Sequence, residues 1–255
     1  MKRKSVVIYE NVEIGEKHDL EDFVVLGKRP NNNSKKKMRL KIGNNALLRT
    51  GSIIYAGTTI GSNFQSGDHS RIREGNKIGN NVSIGSNSII ESDSKIGNNV
   101  RIHSLCFIPE YTTLEDDVWM GPGVTITNVM HPPCPVFRER GHEMELKCVR
   151  GPIIRKGAII GAGVIILPGI EIGENGGIKV DTHLRTNKPH IWAIGDAIEV
   201  QDCVTKEWTL IPLAGPANRQ GRIVAENIYG TSMKYPGTWG TSILRLFDLT
   251  AACTG

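Results

Sequence analysis

A large aliphatic side chain returns at every sixth residue through much of this 255-residue chain. From Ile42 the series runs Leu48, Ile54, Ile60, Ser66, Ile72, Ile78, Ile84, Ile90, Ile96, Ile102, Ile108, Leu114, Met120 and Ile126, aliphatic at fourteen of fifteen places. Read in sixes it also extends backward through Leu26, Leu20, Ile14 and Ile8, and it resumes at Ile154, Ile160, Ile166 and Ile172. A period of six fits neither the helix repeat of about 3.6 nor the simple alternation of a strand. It fits a coil whose faces are each six residues long, with one large side chain turned inward per face. Three faces make a turn of roughly eighteen residues, and stacked turns make a parallel β-helix solenoid.

The neighbours of the repeated residue agree. Glycine often follows it, as at Gly43, Gly61, Gly67, Gly79, Gly85, Gly97, Gly121 and Gly161. Four places on come small or β-branched residues such as Ala46, Ser52, Thr58, Ser70, Val82 and Ser88. Glycine and asparagine suit corners, where positive φ is tolerated. Isoleucine stacked over isoleucine builds a core without aromatics, which suits a chain that is 39% hydrophobic but only 5% aromatic.

Composition narrows the function classes. The apolar runs, such as Ala158-Ile159-Ile160 and Val164–Leu167, are too short to cross a bilayer. Met1-Lys2-Arg3-Lys4 is basic, but only Val6–Tyr9 follows before Glu10, so no secretory segment is expected. The net charge of +5 includes a cluster, Lys35-Lys36-Lys37 with Arg39, read as a solvated loop with phosphate contact as its alternative. Nucleic acid binding is not expected, because no basic face is interleaved with stacking aromatics. Five cysteines without a CxxC pair suit a reduced cytoplasmic protein. His131, Cys134, His142 and Cys148 match no standard zinc spacing, so no metal is expected.

The repeat resembles that of the hexapeptide acyltransferases, which form a left-handed β-helix, and within them the sugar-nucleotide N-acetyltransferases. The motifs that carry the resemblance include Ile53-Ile54-Tyr55-Ala56-Gly57, Ser70-Arg71-Ile72-Arg73-Glu74, Phe107-Ile108-Pro109-Glu110-Tyr111, Val118-Trp119-Met120-Gly121-Pro122-Gly123 and Ile166-Leu167-Pro168-Gly169. They lie within residues 5–176, and domain one is read as 1–176 with an inserted loop at 127–153. The resemblance implies a homotrimer that transfers acetyl from acetyl-CoA to an amino sugar attached to a nucleotide.

Such chemistry needs a base for the attacking amine and donors for the oxyanion, tasks suited to imidazole and to backbone N–H groups. The register breaks between Ile126 and Ile154, and the inserted stretch opens Thr127-Asn128-Val129-Met130-His131-Pro132-Pro133. Long excursions from rigid scaffolds carry function. Galactoside-type relatives place a catalytic histidine in a similar His-Pro loop, which makes His131 the expected base. His103, standing where glycine usually follows the inward residue, and Asn128 are further catalytic candidates. His69, Arg73 and Glu110 are candidate substrate contacts. The resemblance places CoA between neighbouring solenoids along the later coils, with Gly161, Ala162, Leu167 and Gly169 as its candidates.

The repeat stops after Gly176, with Ile178 in phase by coincidence. Residues 177–255 carry Ile191-Trp192-Ala193-Ile194-Gly195-Asp196 and Leu210–Arg222, and resemble part of the FAD domain of CoA-disulfide reductases and NADH oxidases. A strand over Ile191–Ile194 and a helix over Pro216–Tyr229 are expected, and the resemblance gives Asp196 a flavin contact. FAD binding is not expected, because Gly161-Ala162-Gly163 and Gly121-Pro122-Gly123 lack the third glycine of a GxGxxG cradle. The chain therefore reads as mainly β, a left-handed parallel β-helix solenoid followed by a partial α/β flavoprotein fragment, an apparent chimera. Acyl transfer is the leading expectation. An FAD-dependent NAD(P)H oxidoreductase and a non-catalytic β-solenoid are the alternatives.

Overall fold

The computed structural model describes residues 5–30, 38–129, 149–174, 176–246 and 249–253. The chain divides into two compact units, Met1–Gly169 and Ile170–Gly255.

The first unit is a β-helix with three parallel sheets, the architecture of a left-handed hexapeptide solenoid. Face I begins at Val7–Ile8 and ends at Ile165–Ile166. Face II runs from Val12–Ile14 to Ile153–Ile154, and face III from Asp19–Leu20 to Ile159–Ile160. Glu171–Ile172, the next strand in phase, falls in the second unit. The six-residue series occupies the inward places. Ile54, Ile72, Ile90 and Ile108 are fully buried and stand in register along face I. Each strand pair of the solenoid is one to three residues long, so the solenoid is stabilised by its buried column and not by any single ladder.

Corners are held by residues in the left-handed conformation. The corner between faces II and III uses Asn45, Asn63, Asn81, Asn99 and Asp117, whose side chains hydrogen-bond one coil to the next at 2.7–2.9 Å. Asparagine fits this role because it tolerates positive φ and carries both a donor and an acceptor.

The register contains two excursions. Leu26 pairs with Ile54, 28 residues on rather than 18, so ten extra residues leave the coil between Lys28 and Leu40. The backward series from Leu26 to Ile8 is therefore offset from the main one. Ile126 pairs with Ile166, 40 residues on, an insertion of 22 that ends by Ile153, already paired with Thr113. Both excursions leave the corner between faces I and II.

The second unit packs Leu184, Ile198, Val200, Ile223 and Tyr235 into a small core. Helix α1 spans Ala214–Ile228, close to the expected Pro216–Tyr229. Ile178 packs against this core instead of opening another coil. The strand expected over Ile191–Ile194 is not formed. That segment makes a single bridge, Trp192 to Arg185, and then enters a 3₁₀ turn at Gly195–Ala197. Two-stranded antiparallel pairs join Val200–Gln201 to Trp208–Thr209 and Ser242–Leu246 to Leu249–Cys253.

Candidate functional site

An eighteen-residue pitch turns residues far apart in sequence into neighbours along an edge. At the corner between faces I and II, one column places Tyr55, Arg73 and Glu91 on successive coils. The Arg73 guanidinium lies 5.2 Å from the centre of the Tyr55 ring, and Lys28 Nζ lies 5.7 Å from it. Arg73 donates to both Glu74 carboxylate oxygens at 2.8 and 2.9 Å and to Glu91 at 3.3 Å. The Glu74 carboxylate raises the Arg73 pKa further above its ordinary value. Arg73 is thus engaged by two carboxylates and stacked on an aromatic ring, an arrangement that orders the edge.

The adjoining column brings two expected residues together. Asn128, buried, donates through Nδ2 to Glu110 Oε2 at 2.9 Å and to the Glu110 carbonyl at 3.3 Å. The Asn128 carbonyl in turn accepts the Arg150 N–H at 2.8 Å, which closes the base of the longer excursion. Asn128 therefore fixes the Glu110 carboxylate at the root of the loop that carries His131. His131 itself lies outside the described residues, as do Cys134, His142, Cys148 and the lysines 35–37.

The histidines His69 and His103 stand at the other edge of face I, the corner with face III. The His103 ring packs edge-on against Trp119, with centroids 4.9 Å apart. It borders a shallow groove of about 320 Å³ together with Ser66, Gly85, Arg101 and Ser104. His69 adopts φ +54° and lies directly over Gly51, where a side chain would collide with its ring. Gly161 and Ala162 continue this edge, and the space beside Gly161 is open apart from Val164. Leu167, exposed, and Gly169, at φ +61°, lie at the opposite corner.

All the solenoid candidates that the structure describes therefore flank face I. The corner between faces II and III carries the asparagine ladder instead. Between Leu40 and Asn128, the left-handed corner residues other than glycine, asparagine and aspartate are His69, Leu105 and Tyr111. Each is a candidate or lies within two residues of one, and such backbone costs about 1–2 kcal/mol. Tyr55, Glu74 and Glu91 were not singled out from the sequence. Their signal is the eighteen-residue spacing of Tyr55, Arg73 and Glu91 directly after the inward position, with Glu74 one place further on.

In the second unit, Asp196 sits exposed in the Gly195–Ala197 turn. The Gly195 N–H is already taken by Gln220 Oε1 of α1 at 2.7 Å, and Pro216 removes one donor from the first turn of that helix. One carboxylate and a helix start, without a glycine cradle for the pyrophosphate, do not by themselves make a dinucleotide site. Among the described residues no cluster of three metal-ligating side chains occurs.

The fold and these edges define a solenoid with a six-residue period followed by a second unit of different build, and comparison with known proteins gives each a resemblance. Residues 77–110 match bacterial transferase hexapeptide (six repeats), and residues 166–221 match pyridine nucleotide-disulphide oxidoreductase. An NAD(P)H sulfur oxidoreductase (CoA-dependent) of Pyrococcus furiosus is 36% identical over 87 residues, 34% of this chain and 20% of that protein. The chain spans about a fifth of the length of the curated relatives it matches. Among solved structures, a GDP-perosamine N-acetyl transferase of Caulobacter crescentus, in complex with CoA and GDP-perosamine, is 17% identical with a TM-score of 0.28, covering 69% of this chain and 54% of its own. A UDP-N-acetylglucosamine acyltransferase of Bacteroides fragilis is 18% identical with a TM-score of 0.31, covering 66% of this chain and 69% of its own. Two separate stretches of the chain thus resemble two different families, each over a minor part of its length.

Proposed function

We propose that the solenoid is an acyltransferase that moves an acetyl group from acetyl-CoA to the amine of a nucleotide-linked amino sugar, working as a cytoplasmic homotrimer. The observation that carries this reading is the placement of the candidates on the two edges of face I, with His103 and Glu110 inside the stretch that matches bacterial transferase hexapeptide (six repeats). The outward side of that face carries Ile53, Ile89, Phe107 and Ile165 with Arg71 and Thr125 between them, a mainly apolar surface suited to packing against neighbouring solenoids.

In this reading His131 accepts the proton of the attacking amine. The nitrogen adds to the thioester carbonyl carbon, backbone N–H groups at the coil corners hold the oxyanion, and the C–S bond breaks to release CoA as the thiol. Glu110, held by Asn128, orients the amine or the imidazole. The backbone beside Gly161, open apart from Val164, lets the pantetheine arm lie close, with Ala162, Leu167 and Gly169 as its further contacts. His103, His69 and Arg73 bound the acceptor side. Thiol release from acetyl-CoA in the presence of nucleotide amino sugars tests the reading. His131→Ala lowers that rate by ~10²-fold or more if the histidine is the base. An unchanged rate removes His131 from the mechanism.

The 36% identity of the tail to a CoA-dependent sulfur oxidoreductase favours a second reading, an FAD-dependent NAD(P)H oxidoreductase. NADH-dependent reduction of CoA disulfide after incubation with FAD tests it, and a flavin spectrum lost in Asp196→Ala supports it. A protein inactive in both assays that forms mixed oligomers fits a non-catalytic solenoid.

A further inference from the structure

The second unit brings a serine, a histidine and an aspartate together. Ser232 Oγ lies 3.1 Å from His183 Nε2, across 49 residues of sequence. The other ring nitrogen, Nδ1, faces Thr182 Oγ1 at 3.5 Å and Asp181 Oδ2 at 4.0 Å. Ser232 is exposed, whereas the His183 side chain is only 18% exposed, so a reactant can reach the hydroxyl while the imidazole stays sheltered.

The pair is held by its surroundings. Asn227, at the end of α1, donates to the carbonyls of His183 at 3.2 Å and Met233 at 2.9 Å, and accepts the Met233 N–H at 2.7 Å. The Tyr235 N–H binds the Thr182 carbonyl at 2.7 Å. One side chain and one backbone bond thus tie together the two segments that carry His183 and Ser232. The histidine projects from a tight turn in which Asp181 Oδ1 accepts the His183 and Arg185 N–H groups at 2.8 and 3.0 Å. The next residue, Leu184, is fully buried yet adopts φ +63°. A buried leucine in the left-handed region is strained backbone, tolerated where packing and hydrogen bonds over-determine it.

We propose that Ser232 is a nucleophile for acyl groups, with His183 as its general base, in a site independent of the solenoid. The substrate class is an activated ester or thioester of a small acid. Ser232 Oγ adds to the carbonyl carbon as its proton passes to His183 Nε2. The alcohol or thiol departs with that proton, leaving an acyl-serine. Water then adds to the acyl carbon, again giving its proton to His183, and the acid leaves as the hydroxyl proton returns to Ser232. Thr182 Oγ1, at 3.5 Å from Nδ1, and Asp181, whose Oδ2 is itself held by the Arg185 guanidinium at 2.9 Å and lies 4.0 Å from Nδ1, are positioning residues on the side of the ring opposite the serine. The logic is that of any nucleophile beside a base oriented by a third group.

The test uses the full-length protein with p-nitrophenyl acetate, following p-nitrophenol release and locating the acetyl adduct by peptide mass spectrometry. The adduct is expected at Ser232, absent in Ser232→Ala, and formed ~10²-fold more slowly in His183→Ala. His183→Asn keeps a polar neighbour for the hydroxyl without a usable base, and a helical circular dichroism signal equal to the parent's shows that either variant is folded. Adducts spread over several serines, or a rate at Ser232 that survives loss of His183, overturn the proposal.

Discussion

Ser66 interrupts the inward aliphatic series, and its exception is matched two residues earlier. Phe64 is fully buried at a place where other coils carry a small residue. Residues two apart on a strand point to the same side, so the large and small side chains have exchanged places within one face. Ser66 spends its hydroxyl on Ser52 Oγ at 2.8 Å and accepts the Arg49 N–H at 3.0 Å. Phe64→Ala alone should cost about 3–5 kcal/mol by opening a cavity, and Ser66→Ile alone about 1–3 kcal/mol by overpacking. The double variant should cost less than their sum, a coupling read from chemical denaturation of all four proteins. Simple additivity would show that the two sites do not share one volume. At the same scale, Asp181 links stability to pH. Burial alone would raise its pKa, but the N–H groups of Arg185 and His183 and the Arg185 guanidinium hold it below the ordinary 3.8. Its contribution is therefore complete above that value and disappears as the pH falls through the lower folded pKa. Asp181→Asn should be less stable than the parent at pH 7, with the gap closing in acid. A gap independent of pH would contradict the assignment.

At the scale of elements, the coil was legible because its period of six has no competing explanation, and the corners followed from glycine and asparagine placed beside the inward residue. Close approach between coils makes some of those glycines obligatory. A Cβ at Gly67 would collide with the backbone of Gly85 and Ser86 on the next coil. Gly67→Ala should lower stability by about 1–3 kcal/mol, measured by thermal denaturation, whereas an alanine at Gly163, where nothing lies within 4 Å, meets no contact and carries only the strain of its φ of +69°. Equal losses at both positions, with the same dependence on coil spacing, would argue against the close-approach account. The site was legible only in part. Asn128 and Glu110 were recognisable individually, but their bond depends on the pitch. The charge network of Arg73 with Glu74 and Glu91 joins coils through residues without a local signature. The expected strand at Ile191–Ile194 failed because an apolar run fixes a strand only where a neighbour can pair with it, and here one bridge to Arg185 is formed.

For the whole molecule, periodic coils give way to a unit of different build. The hexapeptide coils and the oxidoreductase-type fragment match different families, at residues 77–110 and 166–221. Recognising the join required only that one periodicity stop and another set of motifs begin. Two properties of the solenoid bear most on function: both excursions leave the same corner, and every described solenoid candidate borders face I. We propose face I as the working surface on that ground, with acyl transfer from CoA as the chemistry to examine there. The most direct measurement is calorimetric titration of acetyl-CoA into the purified full-length protein, with FAD titrated in parallel. Saturable acetyl-CoA binding near one site per chain, without FAD binding, is the predicted result. No acetyl-CoA binding, with or without a response to FAD, would contradict the account.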